Sequence, residues 1–278
     1  WSSGSSPSSM INVNGTLFFT ANDGASGLEL WKSDGTSTGT VIVKDINPGS
    51  GNADSYGLSL TNVNGTLFFS ANDGTNGIAL WKSDGTEAGT VIVKDINPDI
   101  SSPQYGYRII NVNGVVYFSA SDGTNGIELW KSDGTAAGTV MVKDINPGSG
   151  NADNYALSLT NVNGTLFFNA NNGTDGSELW KSDGTEAGTV LVKDINPGAN
   201  NSSPNQFTNF NGTVIFSAND SATGPELWKS DGTAAGTTIV KDINAGTNGA
   251  QIDNPSLANG FVYFVANDGI NGSEMWKT

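Results

Sequence analysis

The sequence contains no cysteine and no histidine, and its only arginine is Arg108. The first absence removes disulfides, thiol nucleophiles and thiolate metal sites together, while leaving the redox compartment undecided. The second removes Ser-His-Asp and Cys-His catalytic arrangements and imidazole metal sites. Positive charge is scarce: Lys and Arg total 12 against 27 Asp and Glu, for a formal net charge of -15 and a pI near 4.1. Such a chain repels phosphate backbones and anionic membrane surfaces, so no nucleic-acid partner is expected. No apolar run is long enough to span a bilayer, and no membrane insertion is expected. The glycines lie in turns rather than in a strand-loop-helix phosphate cradle. The chain opens at Trp1 without a Met or a signal-peptide pattern, which reads as a processed protein or a segment of something longer.

What is present is a repeat. Tryptophan follows Leu or Met at Trp31, Trp81, Trp130, Trp180, Trp228 and Trp276, with spacings of 50, 49, 50, 48 and 48 residues. An aromatic pair or its equivalent recurs upstream, as in Phe18-Phe19 and Tyr263-Phe264, and Lys-Asp-Ile recurs at Lys44, Lys94, Lys143, Lys193 and Lys241. Disorder would not require aromatics in fixed places.

Each unit divides into four strand-sized pieces. In the second, Leu58 to Val63 is strand a and ends at Asn64-Gly65, a pair suited to a type I′ hairpin. Thr66 to Ala71 is strand b, Ile78 to Lys82 strand c, and Thr90 to Ile96 strand d, with Asp- and Gly-rich turns between them. Val91 and Val93 are expected on one face of strand d and Ile92 and Ile96 on the other, both packed. Three short turns and one long Asn-Pro-opened linker describe a meander followed by a jump. The expected fold is therefore all-β, a six-bladed β-propeller of four-stranded antiparallel blades. A parallel β-helix competes, but its coils are shorter and need no Asn-Gly hairpins. One repeat domain over 1–278 is expected, with blades near 8–49, 57–98, 106–147, 156–197, 205–244 and 254–278.

The final unit, Pro255 to Phe264, is similar to the first two strands of a blade in pyrroloquinoline-quinone-type propellers. Glu29-Leu30-Trp31-Lys32-Ser33-Asp34-Gly35-Thr36 and its copies more closely resemble the ELW-x-SDGT-x-x-GT repeats of large bacterial surface and secreted proteins. That resemblance covers essentially the whole chain. It implies a propeller-like module in an extracellular or cell-surface protein and no agreed activity. Many quinone-dependent enzymes carry a vicinal cysteine pair, and this chain has no cysteine.

With Arg108 set aside, the remaining eleven of the 12 basic residues are lysines, six after the Trp and five in Lys-Asp-Ile. Their periodicity reads as structural pairing or a solvated edge. Paired carboxylates for glycoside hydrolysis remain chemically available, but the acids are repeated or lie in linkers, so no enzyme is expected. Asp23, Asp73, Asp122, Asp220 and Asp268 open the b–c turns, with Asn172 in the fourth unit. Oxygen-rich turns could hold calcium, which takes about six to eight oxygen ligands; Asx turns explain the same residues without a metal. Asp34, Asp84, Asp133, Asp183 and Asp231 in Ser-Asp-Gly-Thr are more turn-like still. The tryptophans could stack on sugars, but beside Leu or Met on a doubly packed strand they read as inter-blade wedges. Asn-Gly-Thr at Asn14, Asn64, Asn163 and Asn211 matches a glycosylation sequon that a hairpin turn already explains.

Ligand contacts are expected in the variable linkers Asn52 to Tyr56, Ser101 to Tyr107, Asn151 to Tyr155, Asn200 to Gln206 and Thr247 to Asp253. Strand d occurs five times and strands a to c six, so the sixth blade lacks its outer strand, and Trp1 to Pro7 does not resemble one. The expected function is a non-enzymatic extracellular binding or adhesion scaffold for a glycan or surface polymer. The alternative is an assembly subunit, in which another protein or a neighbouring copy adds a strand at Gly272 to Lys277. A hydrolase using acidic residues is the third.

Overall fold

A computed structural model describes residues 4–53, 58–97, 108–152 and 157–278. All regular structure among them is β. The first sheet contains β1 (Ser8–Val13), β2 (Thr16–Asn22), β3 (Leu28–Ser33) and β4 (Val41–Lys44), and the second β5 (Thr61–Val63), β6 (Thr66–Asn72), β7 (Ile78–Ser83) and β8 (Val91–Lys94). The third contains β9 (Ile109–Val112), β10 (Val115–Ser121), β11 (Ile127–Ser132) and β12 (Val140–Lys143). The fourth follows with β13 (Thr160–Val162), β14 (Thr165–Asn171), β15 (Ser177–Ser182) and β16 (Val190–Lys193). The fifth comprises β17 (Asn205–Phe210), β18 (Thr213–Asn219), β19 (Pro225–Ser230) and β20 (Thr238–Lys241). The sixth has three strands, β21 (Asp253–Ala258), β22 (Phe261–Asn267) and β23 (Ser273–Lys277). In every sheet the spatial order follows the chain order. The chain divides into two compact units at Met141/Val142, within β12.

The Asn-Gly pairs make these meanders tight. Asn14 and Gly15 have φ of 52° and 88°, and Asn64 and Gly65 have 52° and 87°, the left-handed values a two-residue hairpin demands. Register then sets the faces. Phe19 lies opposite Trp31, and Phe69 opposite Trp81, while Phe18 lies opposite Lys32 on the other face. Within the first unit, Phe18, Leu30, Val43 and Ile46 of the first repeat pack with Leu67, Phe69, Ala71 and Trp81 of the second. The second and third repeats meet in the same way through Phe68, Leu80, Val93 and Ile96 against Val116, Phe118 and Trp130. In the second unit Phe167, Leu179 and Val192 pack with Val214, Phe216 and Trp228, and Ile215 and Leu227 with Val262 and Phe264. The second and fifth sheets are apolar on both faces because each is filled from both sides.

Strand d departs from simple alternation. It spans Val91–Lys94 rather than Thr90 to Ile96, and the c–d register shifts between Leu80 and Trp81. Val91 is 38% exposed, Val93 buried and Ile92 half-buried, and beyond the shift Ile96 packs with Val93 rather than sharing a face with Ile92 as expected. Strand a is likewise shorter than expected, beginning at Thr61 rather than Leu58 in the second repeat. The expected blade limits at 57, 98, 106 and 156 fall outside the described residues, as do Ser101 to Tyr107, residues 54–56 and residues 153–155 of the candidate ligand linkers.

Candidate functional site

The acidic b–c turns are closed on themselves. Asp23 Oδ1 accepts the amides of Ala25 and Ser26 at 2.8 and 2.7 Å. Asp73 accepts from Thr75 and Asn76, Asp122 from Thr124 and Asn125, Asp220 from Ala222 and Thr223, and Asp268 from Ile270 and Asn271. The Ser26 and Ala25 amides hold the Asp23 carboxyl below its ordinary range. At Asp73 partial burial pushes upward, but the Asn76 and Thr75 amides prevail and the net direction is down. The uncharged Asn172 makes the same bonds to the amides of Thr174 and Asp175. Among the described residues no group of three or more acidic, His or Cys side chains gathers to hold a metal. A calcium ion at one of these turns would have to draw its remaining oxygens from backbone and water.

The Ser-Asp-Gly-Thr-x-x-Gly-Thr motif is a second closed turn that also serves its neighbour. Ser83 Oγ hydrogen bonds with Thr90 Oγ1 at 2.7 Å, and Thr86 donates its amide and hydroxyl to Asp84 Oδ1 at 2.8 and 2.7 Å. Gly89 donates its amide to Thr86 Oγ1, and a β-carbon on Gly89 would lie inside the Asp84 carboxylate. So fixed, the turn presents two carbonyls to the preceding repeat. Lys32 Nζ donates to Gly85 O at 2.7 Å and Lys44 Nζ to Thr90 O at 3.0 Å. Lys82 and Lys94 reach Gly134 O and Thr139 O in the same way, and Lys181 and Lys193 reach Gly232 O and Thr237 O. These lysines pair with carbonyls rather than with carboxylates.

The same lysines lie over the tryptophans. Lys44 Nζ stands 6.0 Å from the Trp81 ring, Lys94 5.8 Å from Trp130, Lys143 5.9 Å from Trp180, Lys193 5.7 Å from Trp228 and Lys241 5.3 Å from Trp276. Trp81, Trp130, Trp180 and Trp228 are buried, whereas Trp31 and Trp276 are half-buried. Trp81 donates its indole N–H to Ala71 O at 3.1 Å; those of Trp31, Trp130 and Trp228 have no acceptor among the described residues.

A set of buried glutamates was not anticipated. Glu29, Glu128, Glu178 and Glu226 are fully buried on strand c. Glu29 accepts the amide of Ile46 at 2.8 Å and that of Ala53 at 3.1 Å. Glu178 accepts from Ile195, Ser202 and the Ser202 hydroxyl, and Glu226 from Ile243 and Asn244. Glu29, Glu178 and Glu226 thus each bind the exit of their own strand d and the centre of the following linker. Burial pushes Glu29 up to about 7, against the pull of the Ile46 amide. Glu178 and Glu226 are raised for the same reason. A sequence signal existed: the position is Ala79 in the second repeat and lies opposite Ala21 and Ala71 on strand b.

The linkers are less free than their variability suggests. Ala53, Ala152, Ser202 and Ala250 are buried at their centres. Ala250 donates to Pro225 O at 2.8 Å and accepts from Asn267 at 2.8 Å, tying β19 to β22. Ser202 does the same between Ser177 and Asn219. Exposed polar groups remain on either side, including Asn248, Gln206 and Asp253, the last two joined by a hydrogen bond of 3.1 Å.

Successive meander sheets packed face to face define a β-propeller of six blades, the last with three strands. Solved structures agree on that fold. Puromycin hydrolase aligns over 99% of this chain and 45% of its own, at 15% identity and a TM-score of 0.53. A prolyl endopeptidase aligns over 98% of this chain and 39% of its own, at 13% identity and a TM-score of 0.59. The β-propeller domain of the trilobed protease from Pyrococcus furiosus, described as having an open velcro topology, aligns over 98% and 81%, at 13% identity and a TM-score of 0.51. The chain therefore spans less than half the length of the first two proteins. No family model matches the chain, and no curated protein does.

Proposed function

We propose that the chain is a non-enzymatic binding scaffold outside the cell, recognising a glycan or another surface polymer through exposed linker residues. The observation that carries this reading is where the repeated polar groups are bound. The turn aspartates, latch lysines and clamp glutamates bond to backbone of their own or the next repeat, which is structural employment. The exposed polar groups that differ between repeats flank the linker centres, as at Asn248 in a linker and at Gln206 and Asp253, which the structure places in the adjoining β17 and β21 rather than in linkers. Loops on a rigid scaffold are the usual place for recognition. A glycan array tests this with the wild type and a Gln206→Ala/Asp253→Ala pair. Binding by the wild type that the pair loses is expected; no binding to any array glycan or extracted surface polymer would remove the reading.

A second reading, an assembly subunit, is favoured by the sixth blade. Met275, Trp276 and Lys277 pair inward with β22 and have no outer strand among the described residues, and unpaired strand edges accept strands. A peptide of the sequence Thr90 to Ile96 should bind there and weaken on Met275→Pro substitution, which removes an edge amide. Failure of the wild type to bind it would sink the strand-addition form.

A further inference from the structure

Each sheet opens with a hairpin turned by Asn-Gly, and five of these six turns hold the glycine amide. Gly15, Gly65, Gly114, Gly164 and Gly212 each donate it to Oδ1 of the asparagine three residues earlier, at 2.9 to 3.1 Å. The sixth turn has the same backbone: Asn259 and Gly260 have φ of 49° and 77° between the paired Ala258 and Phe261. There, however, Leu257 stands where Asn12 stands in the first repeat, and a leucine side chain accepts no hydrogen bond. The Gly260 amide therefore lacks the acceptor that its five counterparts have. The difference lies within one hairpin, and solvent exposure does not create it, because all six turn asparagines are exposed.

That amide is the nucleophile of a spontaneous reaction. The nitrogen after an asparagine can attack its Cγ, and glycine, with no β-carbon, hinders the approach least. The nitrogen must give up its proton and swing toward the side chain. Donation of the N–H to an amide oxygen stabilises the protonated form and fixes the peptide plane, so it opposes both steps. Asn-Gly pairs outside the hairpins are restrained in other ways. Asn76, Asn125 and Asn271 donate Nδ2, the departing group, to the carboxylates of Asp73, Asp122 and Asp268 at 2.7 to 2.8 Å. After Asn172 the Gly173 amide is held by Asn171 Oδ1 at 2.7 Å, and after Asn248 Gly249 is buried against Pro225.

We propose that Asn259 is the deamidation site of this chain, and that the asparagine at the Asn12 position protects the other five hairpins. The Gly260 nitrogen bonds to Asn259 Cγ, the Cγ–Nδ2 bond breaks, and ammonia leaves with the amide proton. Water, the only co-reactant, then opens the cyclic imide at one of its two carbonyls. Opening at Cγ gives aspartate; opening at the α-carbonyl routes the backbone through Cγ and gives isoaspartate. Either product adds a negative charge to the β21–β22 hairpin, and isoaspartate also lengthens its turn.

Incubation of the folded 278-residue chain at mildly alkaline pH, followed by proteolysis and mass spectrometry, gives the rate at each Asn-Gly pair. Asn259 should convert about fivefold faster than Asn14 or Asn64, the ratio that one neutral hydrogen bond gives in a rate. Leu257→Asn, a substitution at an exposed side chain, should slow Asn259 to the rate of those turns. The chain unfolded in urea should lose the contrast, because the protecting bond exists only in the folded hairpin. An Asn259 no faster than Asn14 in the folded chain would overturn the proposal. So would a Leu257→Asn variant that reacts at the wild-type rate. A contrast that survives unfolding would also overturn it, by assigning the difference to the preceding Ala258 instead.

Discussion

Leu30 and Met275 occupy the same position on strand c, yet one is fully buried and the other 76% exposed. Their neighbours differ likewise: Glu29 is buried under two amides, while Glu274 is exposed. The repeat sequence is nearly the same, so burial here belongs to the junction and not to the residue. An interior junction supplies apolar partners and carbonyls for lysines, while Glu29 draws its amides from the strand d exit and linker that follow it in its own repeat. The outer face of the sixth sheet lacks the apolar partners and the carbonyl among the described residues, and no strand d follows Glu274 there.

The largest expected difference is therefore between Leu30→Ala and Met275→Ala. The first opens a cavity in a filled junction and should cost about 2–5 kcal/mol. The second should stay within about 0.5 kcal/mol, both read from denaturant midpoints. Comparable losses would mean that Met275 is covered in solution.

Glycines in two turns of the first repeat extend the comparison. Gly39→Ala would force a β-carbon into the Asp34 carboxylate, whereas Gly15 has open space and only a positive φ of 88° to oppose it. The first should cost about 1–3 kcal/mol by displacing the turn that Thr36 and Asp34 close, and the second about 1 kcal/mol. Thermal melts of the two variants decide the order.

The glutamate clamp gives a pH signature. A carboxyl raised from 4.5 to about 7 on folding is bound to a proton in the folded state while the unfolded chain has lost it. Its contribution is full below pH 4.5 and fades as pH rises through about 7. Glu29→Gln, which keeps the size but cannot ionise, should flatten the fall in stability across that window. An unchanged slope would show that the Glu29 carboxyl does not titrate there. The b–c turns act oppositely: Asp23, held low by amides, loses its contribution only as pH falls through its folded value.

Much of this was legible in the sequence because it depends on local chemistry. Asn-Gly pairs dictate hairpins, the period of the tryptophans marks the repeat, and Ser-Asp-Gly-Thr encodes a turn bonded within itself. What the sequence hid depends on groups brought together from distant parts of the chain. Lys32 and Lys44 read as structural or solvated, and only their reach to Gly85 and Thr90 identifies them as latches. Glu29 resembles a surface residue in an alternating strand until the amides of Ile46 and Ala53 are brought to it. Beyond the register shift beside Trp81, Ile96 packs with Val93 and not on the Ile92 face, which alternation cannot anticipate. Among the linkers, Ser202 and Ala250 vary in type yet are fixed by backbone bonds, so variability alone overstated their freedom.

The most direct test of the latch compares two lysines. Lys44 and Lys241 both lie over a tryptophan ring, at 6.0 and 5.3 Å, but only Lys44 also donates to a carbonyl among the described residues, Thr90 O at 3.0 Å. Urea unfolding of Lys44→Met and Lys241→Met isolates that bond, because the stacking loss is common to both. The account expects Lys44→Met to cost about 1.5 kcal/mol more than Lys241→Met, as a charged hydrogen bond between repeats should. Equal losses would contradict the claim that these lysines hold one repeat to the next.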